Sequence, residues 1–440
     1  MSDALLDDLL DWLRIPSIST GGGKDEDLKR AAEWVLERVD AAGGAGRLVT
    51  GDGNPIAYGE LPANGNGADA PTVLIYGHYD VQSVGDPAAW RIPPFEPEVR
   101  DGRIWARGAS DDKGNFWPLL ASALDLSRAG DLPDNVRVLV EGEEEAGSTH
   151  VTRWIRADTG PADVALVFDS GMADPHTPAI TVGLRGVVMA RVSVRTGRRD
   201  LHSGMYGGSV LNAIHVLHGM LATVLPGPGG VLRDELRQGI VPAAPTELDS
   251  WSRLKPGDEV ISEVGGLPVG PDAGARYYER NGADASLDVN ELVAGEPRTV
   301  VPSTARATVS IRLAPGQSPE VIGPELERLL REAAPDGVDV GFSIDHTADP
   351  ALFDVDTPPM RLAAEAIGRG TRMTPAFVRT GGSIPIVAEF ARKGITTIVG
   401  GFGLPDDDIH APNESYRVES LRLGEAASRE LYAALARLPR

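Results

Sequence analysis

The chain has no cysteine. Disulfides and thiolate metal sites are therefore excluded, and any bound metal must be held by histidine, aspartate or glutamate. Positive charge is scarce. Lys and Arg number 42 against 64 Asp and Glu, a formal net charge of −22. Phosphate backbones call for a basic face, so nucleic acid is not expected as a partner. A local basic pocket can still exist in an acidic protein, so the balance leaves small substrates open. Long apolar runs are missing as well. None reaches the roughly 18 residues of a membrane span, so no membrane partner is expected. The first eleven residues are acidic and amphipathic, without the basic and apolar regions of a signal peptide. The expectation is a soluble cytoplasmic protein. What is present is ample apolar content, 42% of 440 residues. That is enough for a large core, at a length that suits two domains better than one.

Residues 73–80 organise the rest. Val73, Leu74, Ile75 and Tyr76 run without alternation, as in a strand covered on both faces. Gly77 breaks the run, and His78 and Asp80 follow. In an extended backbone these two point the same way. Asp80 could then accept from the far nitrogen of His78 and fix its tautomer. Residues 136–140 form a second apolar strand that runs into Glu141, Glu143, Glu144 and Glu145. Acids packed against a buried strand repel one another and lose hydration, and a cation is the usual remedy. Residues 164–168 form a third strand, ending at Asp169. Asp111 and Asp112 precede a helix expected from about Asn115, where the helix dipole favours a carboxylate. His410 follows an apolar strand at 395–399. Each motif alone also reads as a solvated loop, a capping turn or an acidic surface. Their repetition at the carboxyl ends of successive strands, where open α/β sheets carry their chemistry, outweighs those readings.

The remaining pattern sets the domains. Helices are expected at 3–13 and 26–42 and a strand at 54–61. From 186 the pattern changes. Residues 186–196, 308–313 and 338–344 read as strands, 209–224 and 318–334 as helices, and 226–296 as loops with short helices. From about 358 helices and strand alternate again, with helices at 360–368, from 381–385 and at 417–438. The fold class is therefore α/β, a mixed and largely parallel sheet with helices on both faces, plus an inserted α+β ferredoxin-like domain. The expected division is 1–185 and 347–440 for the catalytic domain and 186–346 for the insertion.

The candidates are His78, Asp80, Asp111, Glu144, Glu145, Asp169 and His410. Five of them suffice for two metals bridged by one carboxylate. Imidazole and carboxylate ligands without sulfur suit zinc, with manganese or cobalt as alternatives. Of the adjacent Glu144 and Glu145, one can ligate while its neighbour accepts a proton from water. His215 and His218 fall on a helix and read as packing or surface residues. His150, His176 and His346 have no partner motif.

At this point the chain resembles the co-catalytic zinc peptidases that include aminoacylase, acetylornithine deacetylase, succinyl-diaminopimelate desuccinylase and the carnosinase-like dipeptidases, the last most of all. The carrying motifs are Gly-His-Tyr-Asp at 77–80, Gly-Ala-Ser-Asp-Asp-Lys-Gly at 108–114 and Glu-Gly-Glu-Glu-Glu-Ala-Gly at 141–147. Further along come Phe168–Asp169, Gly-Leu-Arg-Gly at 183–186, Asp-Leu-His-Ser-Gly at 200–204, Arg-Thr-Gly-Gly-Ser-Ile-Pro at 379–385 and His410. The resemblance implies that His78 and Asp169 hold one metal, that Glu145 and His410 hold a second, and that Asp111 bridges them. It implies Asp80 as the residue orienting His78 and Glu144 as general base. His202 would steady the oxyanion in a neighbouring subunit. Arg312 and Arg379 would hold the substrate carboxylate beside Gly381, Gly382 and Ser383. It also implies a homodimer through the inserted domain, acting as a lid. The chain departs from its relatives at Asp112, where Asn or Met is common, and at Thr380, where Glu is common. The extra Glu143 makes the register of the Glu pair depend on the Ala146, Gly147 and Ser148 that follow. The expected activity is hydrolysis of an amide bond near a free carboxylate, in a dipeptide. The alternatives are an N-acyl-amino-acid deacylase and a metal-free binding or scaffold protein.

Overall fold

The computed structural model describes residues 3–65, 67–227, 229–382 and 384–438. The chain divides into two compact units. One comprises Met1–Val182, Phe353–Val378 and Pro385–Arg440, and the other Gly183–Leu352 and Arg379–Ile384. The insertion expected at 186–346 lies inside the second unit, which also takes up the short segment 379–384. That segment follows its side chains. Arg379 is tied to Glu247 of the same unit.

The sheet of the first unit runs in the order Ala45–Val49, Ile56–Leu61, Asn135–Glu141, Thr72–His78, Val164–Phe168, Thr397–Gly400 and Ala179–Leu184. Asn135–Glu141, Thr72–His78, Val164–Phe168 and Thr397–Gly400 are parallel to one another. The flanking strands pair antiparallel. Thr72–His78 is buried along its length because both faces are covered. The Tyr76 ring meets Phe390 of helix Pro385–Arg392, with centroids 6.2 Å apart. The next residue, Gly77, backs onto Phe116 of helix Lys113–Ala129. On that second face, Trp12 stacks on Trp34 at 4.9 Å and Trp34 meets Trp117 at 5.1 Å. Three indoles thus join helices Ala4–Leu13, Asp25–Ala41 and Lys113–Ala129 into one layer. Such pairs add about 1 kcal/mol each beyond their buried area. On the other face, Arg156 of helix Thr149–Ala157 pairs with Glu389.

The second unit has an antiparallel sheet in the order Ser286–Ala294, Thr304–Leu313, Gly186–Arg195, Asp339–Ala348. In chain order this is second, third, first, fourth. Helices Ala213–Ala222 and Pro319–Glu332 supply the crossovers, which makes the unit ferredoxin-like. Val188, Ala190, Val192 and Val194 alternate into a core with Leu217, Met220, Ile322 and Leu326.

Two expectations are corrected here. The region 226–296, expected as loops and short helices, ends in the strand Ser286–Ala294. It is an edge strand, mostly exposed, with a register shift between Val289 and Glu291, so its alternation is masked. The helix expected from 209 begins at Ala213, because the Asn212 side chain accepts from Ile214 N at 2.8 Å and caps it. Among the described residues no helix is long and apolar enough to cross a membrane.

Candidate metal centre

Parallel strands laid side by side deliver their carboxyl ends to one edge of a sheet. Thr72–His78 ends on His78, Val164–Phe168 stops one residue before Asp169, and Asn135–Glu141 leads into the turn Glu144–Ala146. Asp111 comes from the loop ahead of helix Lys113–Ala129. His410, with φ of 60°, follows Thr397–Gly400 and the turn Pro405–Asp407.

Two groups of donors meet at Asp111. His78, Asp111 and Asp169 form one, and Asp111, Glu145 and His410 the other, each with its ligand atoms within 4.8 Å of one another. Asp111 Oδ1 lies 3.1 Å from His78 Nε2, and its Oδ2 lies 2.9 Å from His410 Nε2. Asp169 Oδ1 is 3.9 Å from His78 Nε2, and Glu145 Oε2 is 3.2 Å from His410 Nε2. One carboxylate thus turns a separate oxygen to each group.

Asp80 is fully buried below His78. His78 Nδ1 is 3.0 Å from the Asp80 carbonyl oxygen and 3.4 Å from its carboxylate Oδ1. The backbone carbonyl, not the carboxylate, is therefore the nearer acceptor for a proton on Nδ1. Either acceptor leaves the Nε2 lone pair facing Asp111. The Asp80 carboxylate accepts from Ser19 Oγ at 2.6 Å, from Glu144 N at 3.3 Å and from Glu145 N at 3.2 Å. It anchors the Glu pair as well as the histidine. Glu143 is occupied otherwise, accepting from Asn54 N at 2.8 Å and His150 N at 3.0 Å.

The electrostatics are those of crowded acids. Burial pushes Glu144 up to about 7; the His78 charge opposes this, and Asp111, Glu145 and Asp80 add to it. Burial also raises Asp169 well above the usual carboxylate range, with Asp112 contributing. Asp111 is driven the other way. Burial opposes its charge, but hydrogen bonds to His410 and His78 hold it below the ordinary range. Hydrogen bonds to Asp111 and Glu145 raise His410 to about 10. Burial disfavours a charged His78, yet bonds to Asp111 and Asp80 outweigh it and raise the ring well above its usual value. Asp112 is fully buried, and its Oδ1 has no hydrogen-bond partner. Acids in such excess over imidazoles, with an orphaned oxygen among them, fit divalent cations, and the donors are all of the oxygen and nitrogen kind.

Several positioning residues carried no sequence signal. Glu414 is buried and fully engaged. Its Oε2 accepts from Arg107 Nη1 at 2.7 Å and Gly108 N at 2.9 Å, and its Oε1 from Ser110 N at 2.9 Å and Asp111 N at 3.1 Å. Asp407 accepts from Ser110 Oγ at 2.9 Å. Only the run of acids and polar residues around His410 hinted at either.

The other candidates lie in the second unit. His202 is exposed, and its Nδ1 accepts from Gly204 N at 3.1 Å, which puts the proton of the neutral ring on Nε2. Arg312 is half-buried on Thr304–Leu313. Arg379, which the resemblance places at the substrate carboxylate, is buried. Its Nε and Nη2 donate to Glu247 at 2.6 and 2.9 Å, and Nη1 and Nη2 donate to the Val241 and Pro242 carbonyls at 2.8 and 3.0 Å. Four of its five N–H groups are thus taken up inside the unit. Gly382 N donates to Thr380 Oγ1 at 3.4 Å, Gly381 lies beside Arg185, and Ser383 lies outside the described residues. His215, His218, His176 and His346 are exposed and belong to neither donor group, and His150 Nδ1 lies 2.8 Å from the Asn54 carbonyl.

The family model for Peptidase family M20/M25/M40 matches residues 74–434. A Cys-Gly metallodipeptidase of Schizosaccharomyces pombe is 29% identical over 395 residues, 84% of this chain and 80% of that protein. A cysteinylglycine-S-conjugate dipeptidase of Corynebacterium striatum is 28% identical over 421 residues, 90% of this chain and 89% of its own length. Among solved structures, a metallo-carboxypeptidase of the M20 family from Sulfolobus solfataricus superimposes with a TM-score of 0.83 at 25% identity, covering 100% of both chains.

Proposed function

The chain belongs to peptidase family M20/M25/M40, and on that premise we propose that it is a metal-dependent dipeptidase. His78 and Asp169 hold one cation, Glu145 and His410 a second, and Asp111 both. Bound divalent cations, zinc by the chemistry of the donors, supply a water acidified towards neutrality and an electrophile for the scissile carbonyl. Glu144 takes the proton of the attacking water on its carboxylate and hands it to the leaving amine. Asp80 orients the His78 ring and anchors the Glu144 and Glu145 amides. His202, with its proton on Nε2, stabilises the oxyanion at the centre of a neighbouring subunit in a homodimer built through the second unit. Arg312 and Arg379 receive the substrate carboxylate, with Gly381, Gly382 and Ser383 lining the same pocket.

The observation that carries this reading is Asp111, whose two oxygens face two histidine-containing donor groups. The dipeptidases among the relatives favour a dipeptide over an N-acyl amino acid. The test is hydrolysis of a dipeptide panel and an N-acyl-amino-acid panel by metal-reconstituted enzyme. Dipeptides should be turned over faster, and the reverse order transfers the reading to a deacylase. Glu144→Gln should lose about 10²–10⁴-fold in turnover, the range for general acid–base groups, with metal content unchanged. Ordinary activity in that variant removes Glu144 as base.

A further inference from the structure

The open face of the second unit's sheet has no role in the mechanism above. Its strands turn Val192, Val194, Ala305 and Ala307 into the core, so the alternate positions point away from it. Ser193 and Arg195 on Gly186–Arg195, Thr304 and Arg306 on Thr304–Leu313, and Asp339 and Gly341 on Asp339–Ala348 are all exposed. Register gathers them. Arg195 lies between Asp339 and Thr304, and Ser193 lies between Gly341 and Arg306. A cavity of about 470 Å³ opens over these six residues. A second depression adjoins it, lined by Arg195, Asp339 and Arg198.

Gly341 keeps the floor low. A Cβ there would fill the space beside Ser193 Oγ, 2.6 Å away. Gly341 has no positive φ, and the irregularity of its strand falls between Ile344 and His346, so the backbone does not call for glycine. Glycine inside a strand weakens it, and it marks places where a ligand comes close to the backbone.

The charges here are unmatched. Arg191, on the same face, is paired with Asp345 at 2.7 Å. The side chains of Arg195, Arg198 and Arg306 make no ion pair or hydrogen bond among the described residues. The hydroxyls of Ser193 and Thr304 and the Asp339 carboxylate are free in the same sense. Asp339 stands directly opposite Arg195, yet the two form no ion pair. Three cations and one acid leave a local surplus of positive charge in a chain of net charge −22.

We propose that this face is a binding site for inorganic phosphate, taken up as the hydrogen phosphate dianion. Guanidinium forks and hydroxyls donate to its oxygens. Its single O–H donates to Asp339, which repels an anion that carries no proton. The dianion matches the surplus of the three arginines over Asp339. Arg306 is six residues from Arg312 along one strand, about 20 Å at the rise of an extended chain, so the two arginines serve different ligands. This site stands independently of the dipeptidase reading.

The test is calorimetric titration of the holoenzyme at about pH 8 with inorganic phosphate, sulfate and methyl phosphate, the last two carrying no proton there. Wild type is compared with Arg195→Met, Arg306→Met and Asp339→Asn, each first checked by thermal melting. Phosphate taken up by the metals is common to all four, so differences among them report this face. Wild type should bind phosphate about tenfold more tightly than either proton-free anion, the scale of one hydrogen bond to a charged group. Each Arg→Met variant should weaken phosphate by about 10–100-fold and leave dipeptide turnover in phosphate-free buffer unchanged. Asp339→Asn should bring sulfate level with phosphate, because a carboxamide donates as well as accepts. Should an Arg→Met variant melt earlier, Arg306→Lys takes its place; it keeps the charge, loses the fork and should still weaken phosphate. Wild-type phosphate affinity in both arginine variants overturns the proposal, as does sulfate bound by the wild type as tightly as phosphate. An unchanged preference for phosphate in Asp339→Asn overturns the role of the O–H and with it the assignment to hydrogen phosphate. Methyl phosphate bound more tightly than the free ion gives the cavity to a phosphate ester and overturns the assignment likewise.

Discussion

Glu414 offers the sharpest test of how the centre is held. Four donors converge on its two oxygens, Arg107 Nη1 and Gly108 N on Oε2 and Ser110 N and Asp111 N on Oε1. Glu414→Gln keeps the shape and turns one acceptor into a donor. The amide oxygen will face Arg107, because a charged donor with a side chain only 2% exposed is the costlier one to abandon. The amide nitrogen then confronts Ser110 N and Asp111 N, and Asp111 loses its tether. Breaking a buried ion pair by removing one partner costs about 3–5 kcal/mol. With about 2.1 cal/mol/K per residue, a unit of roughly 260 residues should lose about 7 °C in melting temperature for about 4 kcal/mol. Residues that orient a metal ligand typically contribute about 10–100-fold in affinity, so metal should dissociate more readily by that factor. Differential scanning calorimetry reads the first effect and competition with a chelator the second. Arg107→Met with Glu414→Leu should recover part of the melting temperature but none of the metal affinity, because stability depends on the pair and affinity on the amides. Glu414→Gln melting within a degree of wild type, with unchanged chelator competition, would refute the reasoning.

Other perturbations isolate other parts. Ser19→Ala removes the 2.6 Å donor to Asp80 Oδ2 and should cost about tenfold in kcat/KM with metal content intact, the usual scale for a group that orients a ligand; elemental analysis beside the rate assay checks it. Asp134 is fully buried, neither of its oxygens has a partner, and burial raises it to about 8. The folded chain therefore keeps a proton that the unfolded chain, near 3.9, gives up, and stability falls as pH rises from about 4 to about 8. Asp134→Asn should match wild type near pH 4 and exceed it by about 2–4 kcal/mol at pH 8, since one retained proton costs at most about 1.4 kcal/mol for each pH unit crossed. Urea denaturation across that range measures the gap, and parallel curves would refute it.

What the sequence disclosed and what it withheld divide along a physical line. Apolar runs such as 73–76 and 164–168 are legible because a strand covered on both faces has no polar side to show. Parallel strands then bring their carboxyl ends together, which is why His78 and Asp169 were nameable before their distance was known. Ser286–Ala294 was not legible, because an edge strand with one bulge exposes most of its residues. Nor was the Arg379–Glu247 pair, whose members stand 132 residues apart with no period to connect them.

The acids are the harder case. Asp80, Glu143 and Glu145 follow buried strands, Asp111 and Asp112 precede a helix and Glu414 a short strand, and sequence treats these carboxylates alike. The structure sorts them by what their oxygens face. Glu143 and Glu414 face backbone N–H groups, and a carboxylate saturated by such donors has no lone pair aimed outward. Asp111 and Glu145 face imidazole nitrogens. Asp80 does both, receiving two amides and a hydroxyl while lying beside His78. An acid that clamps a loop and an acid that holds a cation obey the same rule, that a buried charge needs partners. They differ only in whether the chain itself provides them. Clamping acids should therefore be replaceable only at the cost of loop geometry, and ligating acids only at the cost of metal. That difference is what separates Glu414 from Asp111, though the two sit 3.1 Å apart, amide to carboxylate.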